Sequence, residues 1–327
     1  MHLQCNLPDV ALKPSLTADQ LTILKLSEPF GRRIQLETPG FLVNLRQHRM
    51  CGLAVLEMAQ TLRQHWRSTS VFGDSMGLVV DGKNSSILHG QPHLFGWRDF
   101  FDIAVKWRQV SEPNDPVWWI DKLAPELFEE GFGLQTPMYS GQMKVPRYYP
   151  YYHKALEAIK VLALEQWALT DEMREKISKA TTCDEVHSAM KRDFWVVTQV
   201  LSTSQKSKGG IMEGTRLTVQ KRGIDGYEFT IRTPAKPNRW VEFNAELTFL
   251  WNELAKEART THNIEKLTDL IMRLYFYWVN FGPMTRGTAA LGLIGMMALF
   301  LAVGIEIESV CKKGKQLDFE SIIGGDP

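Results

Sequence analysis

The turn from Pro283 to Thr288 carries the most informative set of chemical groups in the sequence. The apolar, aromatic stretch 274–279 predicts a helix that ends just before it, and a second helix is predicted to begin at Thr288. The first N–H groups of a helix have no partner inside it, and the helix dipole favours anions there. Gly287 lets a ligand approach the backbone, Thr288 offers a hydroxyl, and Arg286 adds a planar cation. These groups predict a phosphate or carboxylate site; the alternative is a capped helix start in which Arg286 binds carbonyl groups of the preceding helix.

Other polar clusters stand next to Gly, Pro, Trp or Tyr at predicted helix ends and loops. Such groups are either solvated helix caps or partly buried groups that need hydrogen-bond partners. In the second case we expect them to line a cleft with Arg286 at its floor, near Arg46, Arg108, Gln135 or Arg147. The candidate cleft residues are Arg46, Gln47, His48, Arg49, Arg108, Gln109, Gln135, Thr136, Gln142, Lys144 and Arg147.

The elements that must position these groups are mainly helical. A capping box at 17–20 predicts a short first helix. Further helices are predicted at 44–67, 97–110, 152–169, 171–179, 184–201, 241–259, 264–280 and 288–303. The clearest alternation flanks Asp225-Gly226, at 216–220 and 227–232, and predicts a β-hairpin. Two stretches rich in Gly, Pro and polar residues are predicted loops, at 68–96 and 131–150.

The chain of 327 residues is long enough for one large domain. We predict a tail with a short helix at 1–27, a single mainly helical domain at 28–310, and a second tail at 311–327. Inside the domain, the hairpin covers about 214–233 and the core helices lie within 264–304.

Composition excludes several classes of protein. Thirty-eight Lys and Arg residues balance 37 Asp and Glu residues, so no global field attracts nucleic acid, and none is expected as a partner. Four widely spaced cysteines have no metal-ligand spacing, which leaves free thiols or one disulfide, and no metal is expected. The first residues lack a signal-peptide pattern. We expect a soluble protein, cytoplasmic or, if it is a fragment of a longer secretory-pathway chain, lumenal; the compartment stays open.

Residues 287–305 contain no charge over 19 positions, close to a membrane-spanning length. The segment is rich in small residues and lacks flanking lysines and paired aromatic belts. A helix that is apolar all round also occurs at the centre of large soluble folds, and we predict that arrangement rather than a membrane span.

Familiar enzyme motifs are absent from the sequence. It has no nucleophile elbow, Walker loop, Rossmann glycine pattern or HExxH zinc motif. Catalytic residues therefore remain unknown at this stage.

Six long strings of the sequence are unusual: residues 46–54 (RQHRMCGLA), 95–99 (FGWRD), 104–109 (AVKWRQ), 133–138 (GLQTPM), 226–229 (GYEF) and 286–290 (RGTAA). They resemble the non-repeat region that follows the helical repeats in the animal tetratricopeptide repeat protein 13 family, shared by plant relatives that restrain immune signalling. The resemblance spans roughly residues 30–310, and the repeats themselves are absent.

The order of hairpin, helix, apolar helix, Arg-Gly loop and small-residue helix is also similar to Fic-type (Fido) domains, and most of all to the bacterial effector AvrB. That resemblance implies a Fic-like helical core with a small hairpin flap that aligns a target. It implies that Arg286, Gly287 and Thr288 bind the phosphates of a nucleotide or nucleotide sugar. The flap residues it implies are Arg216, Thr218, Tyr227 and Phe229.

The chain departs from the Fic pattern at 280–286, where the histidine base, the metal-binding acid and the second arginine are missing. Adenylyl transfer is therefore disfavoured. Transfer of a glycosyl group to a protein Ser or Thr hydroxyl needs less machinery and stays the leading functional hypothesis, with a protein as substrate. The alternative is a catalytically inactive interaction or scaffold domain of a tetratricopeptide-repeat protein, with no certain cofactor.

Overall fold

The computed structural model describes residues 16–34, 44–72, 95–124, 126, 135–204, 210–224, 226–233, 236–260, 263–307, 312 and 314–324. This part of the chain forms ten α-helices and one five-stranded sheet, which confirms a mainly helical fold. The helices are α1 (Ala18–Arg33), α2 (Leu45–Phe72), α3 (Trp97–Ser111), α4 (Tyr152–Gln166), α5 (Asp171–Lys179), α6 (Cys183–Met190), α7 (Pro237–Thr260), α8 (Ile264–Phe281), α9 (Thr288–Ala302) and α10 (Leu317–Gly324). The strands are β1 (Gln135–Gly141), β2 (Met143–Lys144), β3 (Phe194–Leu201), β4 (Ile211–Arg222) and β5 (Gly226–Arg232).

The predicted hairpin is present as β4 and β5, but it is not a small separate flap. Every strand pair is antiparallel, in the order β2-β1-β5-β4-β3, so this hairpin forms the centre of the sheet. Its apolar side, which includes Leu217 and Phe229, is fully buried in a cluster with residues of α4, α5 and α6. The expected small hairpin flap is instead part of a five-stranded sheet, in which this alternating pattern has a covered face and paired edges.

Two other local predictions are corrected. The helix expected at 184–201 ends at Met190, where Lys191 adopts a left-handed conformation (φ 57°), and β3 follows with β-branched residues in alternation. The loop expected at 131–150 contains the β1–β2 hairpin, which turns at Gly141 (φ 63°). A bulge between Pro137 and Tyr139 hides the strand pattern. Helix α2 continues to Phe72, and most of the loop expected at 68–96 lies outside the described residues.

Helix α9 is a core helix. A Cβ added at Gly292 would lie 2.7 Å from Cδ1 of Trp278, and one at Gly295 would lie 2.6 Å from Cε1 of Phe101. The two rings stack on each other with centroids 3.7 Å apart. The small residues of this segment thus let large aromatic rings pack against the helix backbone. Among the described helices none is both long and apolar enough to cross a membrane.

Both ends of the described chain take part in packing. Thr17 and Gln20 form the predicted capping box of α1, and this helix continues across residue 27. It crosses α2 so closely that a Cβ at Gly31 would lie 1.7 Å from the carbonyl oxygen of His48. Near the other end, α10 buries Phe319 in the cluster beneath the sheet. The division of the chain into tail, domain and tail stays a prediction.

Two of the four cysteines fall in the described part, and both are buried, free thiols: Cys51 and Cys183. Burial is the main cause that raises the pKa of both, to about 11 for Cys51. Cys5 and Cys311 lie outside the described residues, so the disulfide alternative is not tested for them.

Candidate functional site

The turn between α8 and α9 is held by a second segment of chain. Gly282 ends α8 in a left-handed conformation (φ 59°), and Met284 forms a β-bridge with Trp119. The amide of Ile120 donates to the carbonyl of Pro283 at 3.0 Å, and residues 285 and 118 form a second backbone bond of 2.9 Å. Residues 118–120 therefore fix the turn in which the sequence predicts the site.

Gly287 is the N-cap of α9, with a left-handed backbone (φ 71°) and no side-chain cap. A Cβ at this position would lie 3.6 Å from Cγ1 of Val117 and 3.8 Å from Nε of Arg108. Thr288 is 4% exposed, and its hydroxyl oxygen has no hydrogen-bond partner among the described residues. The start of α9 thus faces a buried guanidinium that sequence analysis placed in the same cleft.

Arg286 does not bind the carbonyls at the end of α8. Its Nη2 donates to the carboxylate of Glu112, and its Nη1 donates to the carbonyl oxygen and pairs with the carboxylate of Asp115. The carbonyls of Asn280 and Phe281 accept instead from Arg239 on α7. Arg286 is therefore engaged by acidic side chains and is about a quarter exposed.

Arg108, in the last turn of α3, is the buried member of the site at 8% exposure. Its Nη2 lies 3.0 Å from Oε2 of Glu112, the same oxygen that Arg286 binds. The Gln47 carboxamide, with its oxygen turned towards Arg108, accepts from both terminal nitrogens. The Nε of Arg108 has no partner among the described residues. Burial lowers its pKa, Glu112 raises it, and the nearby charges of Arg286 and Arg147 lower it further.

Arg46 and Gln109 lie at the same end of the bundle. Nη2 of Arg46 donates to the carbonyl of Val110 at 2.9 Å, and Nε2 of Gln109 donates to that of Val117 at 2.9 Å. We use the name arginine cluster for four cations: Arg108 and Arg286, which share the carboxylate of Glu112, Arg46, which binds the end of the same helix, and Arg147, whose charge acts on Arg108.

His48 and Arg49 lie towards α1 instead. Nε of Arg49 is 3.3 Å from a carboxylate oxygen of Glu28. Burial and the charge of Arg32 lower the pKa of His48, while Glu28 raises it. Successive helical residues point about 100° apart, so neighbours in sequence reach different helices. These two predicted cleft residues are not brought to the arginine cluster.

The predicted cleft residues between 135 and 147 also lie in different places. Gln135 and Thr136 pair through β1 with residues 232 and 231 of β5, and Gln142 lies in the turn between β1 and β2. Nζ of Lys144 lies 4.5 Å from the ring centroid of Tyr149. Within this set, Arg147 is close enough to Arg108 for its charge to lower the pKa of that guanidinium.

The implied flap residues take structural places in the sheet. Arg216 donates to Oε1 of Glu213 at 2.9 and 3.0 Å and lies over the ring of Trp195. Phe229 is fully buried, Thr218 is 3% exposed, and Tyr227 packs against the His187 ring at 5.2 Å between centroids.

Sequence reasoning did not single out Glu112 and Asp115 as site residues. Glu112 is the C-cap of α3, and the amide of Asp115 donates back to the carbonyl of Glu112 at 3.2 Å. The sequence pattern that points to them is a pair of acids on either side of Pro113, directly after the donor-rich end of α3. That pattern also fits a solvated helix end, so only the tertiary pairing with Arg286 separates the two interpretations.

Comparison with known proteins reveals homology over most of the chain to two much longer proteins. The chain is 37% identical to Suppressor of RPS4-RLD 1 of Arabidopsis thaliana, over 96% of this chain and 34% of that protein. It is 28% identical to Tetratricopeptide repeat protein 13 of Homo sapiens, over 92% of this chain and 35% of that protein. The chain thus spans about a third of the length of the curated relatives it matches. No family model matches the sequence.

Proposed function

We propose that this chain is a protein-interaction domain that binds an acidic segment of a partner protein through the arginine cluster. One observation carries the proposal: a single carboxylate, that of Glu112, forms ion pairs with Arg108 and Arg286 together. A glutamate or aspartate of a partner has the same chemical group. The internal pair is therefore a template for how the partner's side chain would be held.

The charges at the site favour an acidic partner. The guanidinium groups of Arg108 and Arg286 pair with the carboxylates of Glu112 and Asp115, and Arg46 and Arg147 add positive charge near Arg108. Arginine stays charged, is weakly hydrated and holds carboxylates in a planar, bidentate geometry, which suits a binding surface. The buried position of Arg108 strengthens its electrostatic interactions relative to those in water.

The relatives support binding rather than chemistry. One is named as a repeat protein and the other as a suppressor, and neither name specifies a reaction. Tetratricopeptide repeats stack into extended concave surfaces that bind other proteins. We extend that role to this homologous region as a proposal.

The test is fluorescence anisotropy with a labelled hexaglutamate peptide and a hexaglutamine peptide as the neutral control. We expect salt-dependent binding of hexaglutamate only, and about tenfold weaker binding for Arg286→Gln, the loss of one charge-assisted contact. Arg273→Gln is the matched control, because Arg273 is also paired with an aspartate and its side chain is 32% exposed against 27% for Arg286. Equal affinity of wild type and Arg286→Gln for the peptide contradicts the proposal.

A second candidate is the transfer of a glycosyl group from a nucleotide sugar to a protein hydroxyl. The observation that favours it is a pair of buried donors beside Gly287, the Nε of Arg108 and the hydroxyl of Thr288, neither with a partner among the described residues. Together with the first amides of α9 they could bind a diphosphate and stabilise it as it leaves. Arg286, Gly287 and Thr288 would be the phosphate-binding residues.

Calorimetry with uridine diphosphate and uridine diphosphate sugars separates the two candidates. The second predicts binding that weakens at least fivefold in Thr288→Val and Arg286→Ala. It also predicts a hexose mass increment on a threonine-containing peptide incubated with protein and donor. Identical binding by wild type and both variants, or by none of them, counts against this candidate and leaves the interaction proposal in place.

A further inference from the structure

Residues 112–115, named here the acidic turn, contact two members of the arginine cluster, Arg108 and Arg286. They connect α3 to the segment at 118–120 that pairs with the α8–α9 turn. Residues 113–115 are exposed, and the two acids of the turn, Glu112 and Asp115, both pair with arginines of the site. The turn is closed by the hydrogen bond between the amide of Asp115 and the carbonyl of Glu112.

The carboxylates of this turn satisfy the arginine cluster only in part. Glu112 uses one oxygen, Oε2, for both Arg108 and Arg286. Asp115 binds the terminal Nη1 of Arg286. The Nε of Arg108 and the hydroxyl of Thr288, both on residues more than nine-tenths buried, remain without a partner among the described residues. Unsatisfied buried donors are rare in native proteins, and each calls for an acceptor such as an ordered water, an ion or a ligand.

The two acids of the acidic turn are held with different strength. The side chain of Glu112 is about three-quarters buried and pairs with the buried guanidinium of Arg108, whereas the side chain of Asp115 is 54% exposed. Ion pairs with an exposed member are weak and are screened by salt. The Asp115 contact can therefore open at small cost while Glu112 stays in place.

From this geometry we infer that the acidic turn is an internal competitor: Asp115 occupies Arg286 in the free protein and is displaced by the acidic segment of the partner. This inference rests on the proposed interaction function and adds its regulation. The turn acts as an autoinhibitory contact that weakens binding of isolated carboxylates. A segment with several acids, which replaces all the contacts of Asp115, displaces it.

The experiment compares hexaglutamate affinity for wild type, Asp115→Asn and Asp269→Asn at low ionic strength. Asp269 pairs with Arg273, and its side chain is 54% exposed, as in Asp115, so its variant makes the same change in net charge away from the site. We expect Asp115→Asn to bind about fivefold more tightly than wild type, and Asp269→Asn to match wild type within about twofold. Thermal unfolding of each variant establishes that it is folded.

The outcomes separate the two proposals. Unchanged affinity in Asp115→Asn, with binding that still depends on Arg286, overturns the internal competitor and leaves the interaction function standing. An equal gain in both aspartate variants also overturns it, because the effect is then one of net charge. Absence of binding by wild type and Asp115→Asn alike overturns both proposals.

Discussion

Two buried arginines of this protein lie in opposite kinds of surroundings. Arg239 is 2% exposed, and its guanidinium donates to the carbonyls of Glu213, Gly214, Asn280 and Phe281. It joins β4 to the end of α8 and lies 4.5 Å from the centroid of Phe243. Burial lowers its pKa to about 9, with the charge of Glu213 acting in the opposite direction. These four acceptors are backbone groups of β4 and α8.

Arg108 is nearly as buried, at 8%, but is bound by side chains that could rearrange. Glu112 is shared with Arg286, Gln47 contributes an amide, and the Nε has no described partner. Each backbone carbonyl in the first site is fixed by secondary structure, whereas the acids of the second come from a turn. A structural buried arginine therefore differs from a candidate binding group in two ways. Its N–H donors have acceptors, and those acceptors are backbone carbonyls rather than side chains.

The largest loss of stability is expected when Arg239 is replaced. Arg239→Met should lower the free energy of unfolding by more than about 3 kcal/mol, because four carbonyls, three of them in buried hydrogen bonds, lose their donor. Urea unfolding followed by circular dichroism measures the change, with Arg273→Met as the exposed control. A loss below about 1 kcal/mol would show that water or relaxation satisfies these carbonyls, and the distinction between the two arginines would fail.

A buried acid on the same helix as Arg239 extends the comparison to pH. Glu246 is fully buried and accepts five hydrogen bonds from Ser202, Thr203 and Ser204. Burial raises its pKa, and these hydrogen bonds more than reverse that effect, so the net shift is downward. The stability it contributes is therefore present above the unfolded glutamate value of about 4.3 and is lost as pH falls through the lower, folded value.

Glu246→Gln should cost about 2 kcal/mol at pH 7, the scale of hydrogen bonds to a charged group. The difference between variant and wild type should narrow once the pH falls below about 4. Urea unfolding at several pH values measures this, and Glu157→Gln, exposed on α4, is the control. A difference that stays constant from pH 7 to pH 3 would contradict the assigned direction of the pKa shift.

Arg108→Met should have a smaller effect on stability, about 1 kcal/mol or less. Glu112 keeps Arg286 as its cation, and the repulsion of Arg108 by two neighbouring arginines disappears. Hexaglutamate binding should instead fall about tenfold. Thermal unfolding and anisotropy on the same sample give both values; a stability loss as large as that of Arg239→Met would make Arg108 a structural residue.

Sequence reasoning locates one half of the candidate site and misses the other. The start of α9 at Thr288 follows from local signals, an aromatic helix, a Gly-containing turn and an apolar run, and the structure has the helix there. The contact of Arg286 with Glu112 joins residues 174 positions apart. It depends on the pairing of 118–120 with the α8–α9 turn, and no local pattern encodes that pairing.

The same limit explains the fold. Helices with strong periodicity, such as α8, can be predicted from the sequence. Strand β3 cannot, because the apolar stretch 194–201 is compatible with a helix or a strand, and its pairing with β4 selects the strand. The hairpin of β4 and β5 is visible from its alternation, but its central place is not, since β1 joins β5 from far earlier in the chain. The chemical type of each residue can thus be read from the sequence, whereas its tertiary contacts cannot.

The smallest effect on stability is predicted for Thr288, which we compare with a second buried threonine, Thr198. Like the two arginines, they differ in whether their polar group has a hydrogen-bond partner. The hydroxyl of Thr198 accepts from the amide of Thr215 at 2.8 Å, whereas that of Thr288 has no described partner. Replacing a satisfied hydroxyl by a methyl group loses a hydrogen bond and leaves the Thr215 amide unpaired, so Thr198→Val should destabilise by about 1–2 kcal/mol. Thr288→Val removes an unsatisfied group of the same shape and should leave the free energy of unfolding unchanged or raise it by up to about 1 kcal/mol. Chemical denaturation of both variants measures the contrast; an equal loss in the two would mean that Thr288 has a partner in solution, and the donor beside Gly287 would not be available to a ligand.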